Sequence, residues 1–433
     1  MSIIAVKEAV IITLDPDRPA FFRGDILIEK EYIHAITEHP NSIETEHSVK
    51  VIDGKNLIII PGLINTHGHT AMTLFRSYAD DLPLQEWLEN KIWPAEELLE
   101  SNDVYWGTLL GIAEMIKSGT TTFTDMYFFM DRVAEATEES GIRAMLSRGL
   151  IGLGSSAQEG LEETEGFIRD WHGRGNGRIN VSLGPHAPYT CPPEFLKKVI
   201  TMAEKYNRPL QIHVSETKKE VDDCIKDYGL TPPKLLYDTG LFDCKTIAAH
   251  CVHLTDEDIE LMAEKDVGIA HNPGSNLKLG SGIAPVSKML SKGLKVGIGT
   301  DGTASNNNLD MIEEIRFAAL LEKGLFMDPT RINAETALKM ATSMGAEVLG
   351  LPSTGVIKEG FKADLIGLKT DLPHWTPMNN PMANLVYSSA AADVDLVIVD
   401  GRILMENRTL KTLDEEKIRF EASRCARRLL EGR

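Results

Sequence analysis

Three hydrophobic segments of this chain each end in side chains of the metal-ligating kind, and its fold has to bring those three ends together. They are Pro61-Gly62-Leu63-Ile64-Asn65-Thr66-His67-Gly68-His69, Gln211-Ile212-His213-Val214-Ser215-Glu216 and Gly297-Ile298-Gly299-Thr300-Asp301-Gly302. Residues two apart on a strand face the same way, so His67 and His69 present both imidazoles to one side of a sheet. Taken singly, each piece is ordinary: a His-x-His strand is commonly solvated or core polar, and Thr300-Asp301-Gly302 is a turn sequence. Their shared address is informative, because the carboxyl ends of parallel strands are where a barrel enzyme keeps its chemistry. Three neutral imidazoles with one carboxylate suit a zinc-type ion that leaves a position open for water. The pattern predicts a hydrolytic metal site.

Eight strand candidates, each followed by a helical pattern, carry these ends: near 62–67, 120–125, 143–150, 178–186, 209–214, 246–250, 267–271 and 295–300. Several are almost wholly apolar, as strands covered on both faces must be. A helix stop is visible at Met115-Ile116-Lys117-Ser118-Gly119, with lysine in the last turn and glycine just past it. The class is α/β, and the expected catalytic domain is a (β/α)8 TIM-type barrel over residues 61–355. The first connection runs to about fifty residues, longer than a crossover needs. It carries Trp87, Trp93 and Glu96 and is expected to fold over the barrel mouth.

Outside the barrel the style changes. Residues 4–14, 24–36 and 49–60 are Ile/Val-rich strand candidates divided by turn sequences, and Ala363–Leu368 and Val394–Gly401 return to that style. Neither half has enough strands for a stable sheet. Residues 1–60 and 356–412 are therefore expected to pair into one small β-sandwich domain, leaving 413–433 as an amphipathic C-terminal helix packed on the surface.

Charge narrows the partners. Forty-five basic against sixty-four acidic residues give a net charge of -19 with no basic run, which argues against nucleic acid and anionic membranes. Cys191, Cys224, Cys244, Cys251 and Cys425 are odd in number and scattered, and read as reduced thiols in a cytosol. Leu57–Ile64 is too short and too proline-broken to span a bilayer, so neither export nor a membrane anchor is expected. Gly152–Ala157 loosely fits a dinucleotide fingerprint, but no acid-ended strand follows at the right distance. The His-x-Glu plus Pro-Cys-x-x-Cys set of the other zinc deaminase class is absent, as is a Gly-x-Ser-x-Gly elbow. Oligomeric state is not legible, and a homo-oligomer stays open.

Taken in chain order, the motifs resemble those of the amidohydrolase superfamily, whose metal-dependent members join a barrel to a split sandwich domain. The likeness covers nearly the whole length. It implies that His67, His69, His213 and Asp301 hold one divalent metal, zinc by default with iron(II) or manganese as alternatives, and that His250 lies beside the reacting water. The segment Arg178–His186 lacks the lysine that dinuclear members carboxylate, which implies a single ion. His213-x-x-Glu216 resembles the arrangement with which deaminases of the superfamily place an acid over the ring under attack; otherwise Glu216 caps the next helix. The implied reaction is hydrolytic deamination. Asp301 takes a proton from water, His250 orients the nucleophile, and Glu216 protonates the ring nitrogen and then the departing ammonia.

Within the superfamily, Trp93-Pro94-Ala95-Glu96, Ser147-Arg148-Gly149-Leu150, Gly184-Pro185-His186-Ala187-Pro188-Tyr189 and His271-Asn272-Pro273-x-Ser275-Asn276 are similar to the methylthioadenosine/S-adenosylhomocysteine deaminases. That likeness implies a small nucleoside substrate. Glu96 would accept bonds from the ribose hydroxyls, His186 would contact the nucleoside, and Arg148 would pair with the homocysteine carboxylate. Plainer roles stand beside these: a helix-surface acid for Glu96, a core histidine for His186, an ion-pair partner for Arg148. Trp87 either stacks on the purine or packs within the lid. The loop Gly152–Thr164 lacks a second arginine that some members carry, so carboxylate recognition would rest on Arg148. Guanine, cytosine or a triazine is the alternative substrate. A non-catalytic barrel scaffold is the alternative class, and lost ligands or a lost Glu216 would mark it; none is lost.

Overall fold

In the computed structural model, which describes residues 3–45 and 47–430, short buried strands alternate with helices through the middle of the chain. The strands are β1 (Leu63–Asn65), β2 (Thr120–Tyr127), β3 (Arg143–Leu150), β4 in two pieces (Ile179–Val181 and Gly184–Pro185), β5 (Leu210–Val214), β6 (Thr246–His250), β7 (Gly268–His271) and β8 (Val296–Ile298). Hydrogen bonding runs β3-β2-β1-β8-β7-β6-β5, all parallel, with β4 beside β3. The ring closes between β4 and β5. There the Leu183 N–H donates to Pro209 O at 2.9 Å, the Gln211 N–H to Leu183 O at 2.8 Å and the His213 N–H to His186 O at 2.9 Å. The eight strands lie at their expected addresses, and the barrel gathers their carboxyl ends at one mouth.

Helix α1 (Ser101–Lys117) stops where its sequence indicates, with Lys117 in the last turn and Gly119 left-handed at φ 94°. Short helical turns at Thr70–Phe75, Leu84–Trp87, Leu88–Ile92 and Trp93–Glu96 fill the long first connection. This connection supplies Trp87, Trp93 and Glu96 to the cavity at the barrel mouth.

Both chain ends enter one sheet. Leu57–Pro61 runs parallel to Ile3–Ile11 on one side and antiparallel to Leu365–Lys369 on the other, which is why neither half could stand alone. The candidate at 24–36 divides into Phe22–Glu29 and Tyr32–Thr37, and that at 49–60 into Lys50–Asp53 and Leu57–Pro61. Hydrogen bonding joins nine strands into a single sheet with its own core of Val6, Ile26, Ile59, Leu365 and Ile398. The two termini thus build one small sheet domain, as expected. Arg143, 4% exposed at the start of β3, ties the barrel to this domain through Asp364 at 2.8 Å and Asp400 at 3.1 Å. Buried charge is tolerated only when paired in this way.

The last helix, Glu415–Leu430, buries Ile418, Ala422, Cys425 and Leu429 in the barrel-side core, and Lys117 of α1 pairs with Glu415 at 2.8 Å. All five cysteines are free. Among the described residues, no helix is long and apolar enough to cross a membrane.

Candidate active site

β1, β5, β6 and β8 place the predicted side chains around one axis. Four residues at these strand ends are left-handed: Ser215 at φ 51°, His250 at φ 70°, Cys251 at φ 52° and Asp301 at φ 60°. Such backbone costs ~1–3 kcal/mol for a residue other than glycine and persists only where its surroundings over-determine it. The chain turns sharply at each end, and Glu216, His250 and Asp301 all line the same cavity.

The ligand atoms of His67, His69 and His213 lie within 4.8 Å of one another, as do those of His67, His250 and Asp301. Asp301 Oδ1 is 3.5 Å from His67 Nε2 and 3.3 Å from His69 Nε2, while His69 Nε2 and His213 Nε2 are 3.3 Å apart. The opposite nitrogens are held by main-chain carbonyls: His69 Nδ1 by Met126 O and His213 Nδ1 by His186 O, each at 2.7 Å. A ring that donates from Nδ1 turns the lone pair of Nε2 inward, as a metal ligand must. His67 Nε2 is buried and faces Asp301 Oδ1 alone, at a distance long for a hydrogen bond. The donor set, three inward nitrogens and a carboxylate oxygen, therefore fits a divalent ion.

Electrostatics agree with that fit. Burial works against charge on Asp301, but hydrogen bonds from His67 and His69 outweigh it and hold the carboxyl well below its ordinary range. Burial likewise opposes a charge on His69, yet Asp301 pushes that imidazole up to about 9. Burial draws His67 down to about 4 and His213 well below its usual value. Asp301 is thus an anion that draws positive charge to the cluster, as a cation held by these side chains would supply. Asp301 Oδ2 accepts hydroxyl bonds from Ser275 at 2.6 Å and Ser305 at 2.8 Å, which fixes Oδ1 toward the imidazoles.

Glu216 lies beside this cluster, next to His250. It is 7% exposed, with Oε2 4.0 Å from His250 Nε2 and Oε1 3.4 Å from the Ser281 hydroxyl. Burial raises its pKa and so favours the protonated acid. The helix-cap alternative fails, because Thr217 caps the next helix, α2 (Lys218–Tyr228), accepting the Glu220 N–H at 3.2 Å. His250 Nδ1 is 2.8 Å from Asn276 Oδ1, which leaves Nε2 to the cavity.

The cavity is lined by His69, Trp87, Glu96, His186, His213, Glu216, His250 and Asp301. Glu96 Oε1 accepts the Tyr127 hydroxyl at 2.6 Å, and burial pushes its carboxyl up to about 7; it is not a helix-surface acid. His186 Nδ1 bonds the Thr190 hydroxyl at 2.9 Å, and burial draws its pKa down to about 4, so it faces the cavity neutral. Trp87 lines the cavity and is packed in the barrel-side core at 4% exposure. Arg148 is not brought in. Its Nε donates to Glu163 at 2.7 Å and its guanidinium stacks 5.0 Å from the centroid of Phe128, the residue that does line the cavity.

Several supporting residues escape sequence reading. Ser305, Tyr127 and Glu220 gain their roles by folding next to Asp301, Glu96 and the Glu216 backbone. Ser275 and Asn276 belong to a quoted motif, yet their partners Asp301 and His250 could not be named from it. Only Glu220 carried a readable signal, the Thr-x-x-Glu signature of a helix start.

Comparison with known proteins places this geometry in context. Residues 58–404 match the amidohydrolase family. The chain is 56% identical over 409 residues, 94% of its length and 95% of the relative's, to a protein of Dictyoglomus turgidum named 5-methylthioadenosine/S-adenosylhomocysteine deaminase. Among solved structures it is similar to an adenosine deaminase from Xanthomonas campestris with bound zinc, with a TM-score of 0.93, 32% identity and 98% of each chain covered. It is also similar to an atrazine chlorohydrolase from Arthrobacter aurescens complexed with zinc, with a TM-score of 0.90, 27% identity, and coverage of 98% of this chain and 100% of that one.

Proposed function

The chain belongs to the amidohydrolase family, and we propose that it is a metal-dependent deaminase of adenine nucleosides bearing a 5′-thioether, 5′-methylthioadenosine and S-adenosylhomocysteine, with adenosine as a further candidate. The observation that supports this reading is one cavity bordered by two ligand clusters that share His67, namely His67, His69 and His213 and His67, His250 and Asp301, together with a separate buried acid, Glu216. A hydrolase that only splits amides needs no acid held over a ring, whereas aromatic deamination does. His67, His69, His213 and Asp301 would hold the ion, for which zinc is our choice. A divalent cation there supplies Lewis acidity, lowering the pKa of water from about 15.7 to about 7 and so yielding a nucleophile near neutral pH.

The chain's own groups do the rest. Asp301, its Oδ2 occupied by two serine hydroxyls, offers Oδ1 to the proton of the attacking water. His250 Nε2, oriented through Asn276, holds that water. Glu216 delivers a proton to the ring nitrogen beside the attacked carbon, so that charge does not accumulate there; it then takes the proton of the added hydroxyl, passes it to the departing ammonia, and is restored by the proton held on Asp301. Glu96, pinned by Tyr127, accepts the ribose hydroxyls, and His186 contacts the nucleoside. Trp87 closes the roof and excludes bulk water.

The test is ammonia release together with loss of adenine absorbance on a panel of 5′-methylthioadenosine, S-adenosylhomocysteine, adenosine, guanine and cytosine. Equimolar ammonia and inosyl product from the thioether nucleosides is expected. Turnover of guanine or cytosine, with none of any adenine nucleoside, would assign the cavity to another heterocycle.

A further inference from the structure

The segment Thr217-Lys218-Lys219-Glu220 opens α2 with the Ser/Thr-x-x-Glu signature, in which the glutamate ordinarily reaches back to the amide of the cap residue. Here one half of that exchange is made, since Thr217 accepts the Glu220 N–H. The other half is redirected further back along the chain. Glu220 Oε1 accepts the Ser215 N–H and Oε2 accepts the Glu216 N–H, both at 2.8 Å. Two successive amides aimed at one anion form the concave nest that backbone makes around a left-handed residue, and Ser215 is that residue at φ 51°.

The clasp is internal. Glu220 is 8% exposed and Ser215 is fully buried, so water does not satisfy these amides in its place. A buried carboxylate is held only where it is fully bonded, and burial pushes this one up to about 7 against the two amide donors that favour its charge. Capping α2 does not require it, because Thr217 already does so. What the clasp does fix is the peptide between Ser215 and Glu216, three residues beyond His213. The Ser215 carbonyl is held separately by the Val252 and His253 amides at 3.1 and 2.9 Å, so losing the clasp frees the amide side of the turn, which sets the direction of the Glu216 side chain.

We propose that Glu220 is a positioning residue that clasps the Ser215 and Glu216 amides and thereby aims the Glu216 carboxyl at the substrate ring. This rests on the reading of Glu216 as the proton donor. In Glu220→Gln only the carbonyl oxygen still accepts, and the new NH2 confronts the second amide. In Glu220→Ala both acceptors are gone.

The experiment measures metal content, kcat and KM for deamination of 5′-methylthioadenosine in the full chain for Glu220→Gln, Glu220→Ala, Glu216→Gln and the Glu216→Gln/Glu220→Gln double variant. Expected are parental metal content, KM within about threefold, and kcat lower by about tenfold for Glu220→Gln and more for Glu220→Ala. Because Glu220 acts through Glu216, the double variant should be no slower than Glu216→Gln alone. Parental kcat in both Glu220 variants, losses that multiply in the double variant, or metal loss in both Glu220 variants would each overturn the proposal, the last assigning Glu220 to the scaffold. A slow Glu216→Gln beside unimpaired Glu220 variants sinks only the clasp; a fully active Glu216→Gln sinks the proton-donor reading, and the clasp's purpose with it.

Discussion

Beside the ligand cluster, His69 and His213 are gripped by main-chain carbonyls at the ends of neighbouring strands and Asp301 by two hydroxyls, while on the rim Arg148 is held by the exposed carboxylate of Glu163, the Phe128 ring and the Gly149 carbonyl. The cradle draws its geometry from the barrel's own hydrogen bonding, so it cannot drift without disturbing β2, β4 and β8. The rim depends on side chains of loops and helices, which can be exchanged one at a time. Chemistry is therefore built into the fold and selectivity is laid over it. That division is open to attack from both sides.

The harshest attack is on the cradle itself. His69→Ala should drop metal well below one equivalent per chain and remove turnover, as read by elemental analysis beside ammonia release; a fully metallated, active variant would refute the ligand set. Next comes the acid. Glu216→Gln keeps the shape of the side chain but cannot deliver the proton, so metal should remain while kcat falls by ~10² to 10⁴. Activity within a few-fold of the parent would remove the acid from the mechanism.

Rim substitutions should cost less and discriminate more. Tyr127→Phe removes the hydroxyl that pins Glu96, and KM for 5′-methylthioadenosine is expected to rise by roughly tenfold, ~1.4 kcal/mol, with kcat nearly unchanged. A fall confined to kcat would tie Tyr127 to the chemistry instead. The smallest effect is expected at Arg148, because a guanidinium already paired with Glu163 gains less from a second carboxylate. Arg148→Met should lower kcat/KM for S-adenosylhomocysteine by about fivefold, ~1 kcal/mol, and leave 5′-methylthioadenosine unchanged. Equal losses on the two nucleosides would make Arg148 part of the scaffold.

The same division explains what could be read from the sequence. Several barrel strands were legible because burial on both faces writes them as apolar runs, and His67, His69, His213, His250 and Asp301 were legible because each stands at or just beyond the end of a strand. The terminal domain was legible as split, but not as one bonded sheet, since no local pattern says that Leu57–Pro61 joins Ile3–Ile11 to Leu365–Lys369. Supporting contacts were the hardest. Thr217-x-x-Glu220 announces a helix start but not which amides the carboxylate will reach, and an arginine at the end of β3 does not disclose that Glu163, fifteen residues on, will take its charge.

The central claim is that one cation in this cradle, with Glu216 beside it, drives deamination. Removing all metal with a chelator and restoring zinc in measured fractions, while following ammonia release from 5′-methylthioadenosine, tests it most directly. The account predicts that the metal-free chain is inactive and that the rate rises in proportion to added zinc and levels off at one equivalent per chain. Full activity without metal, or a rate that climbs to two tightly bound equivalents, would contradict it.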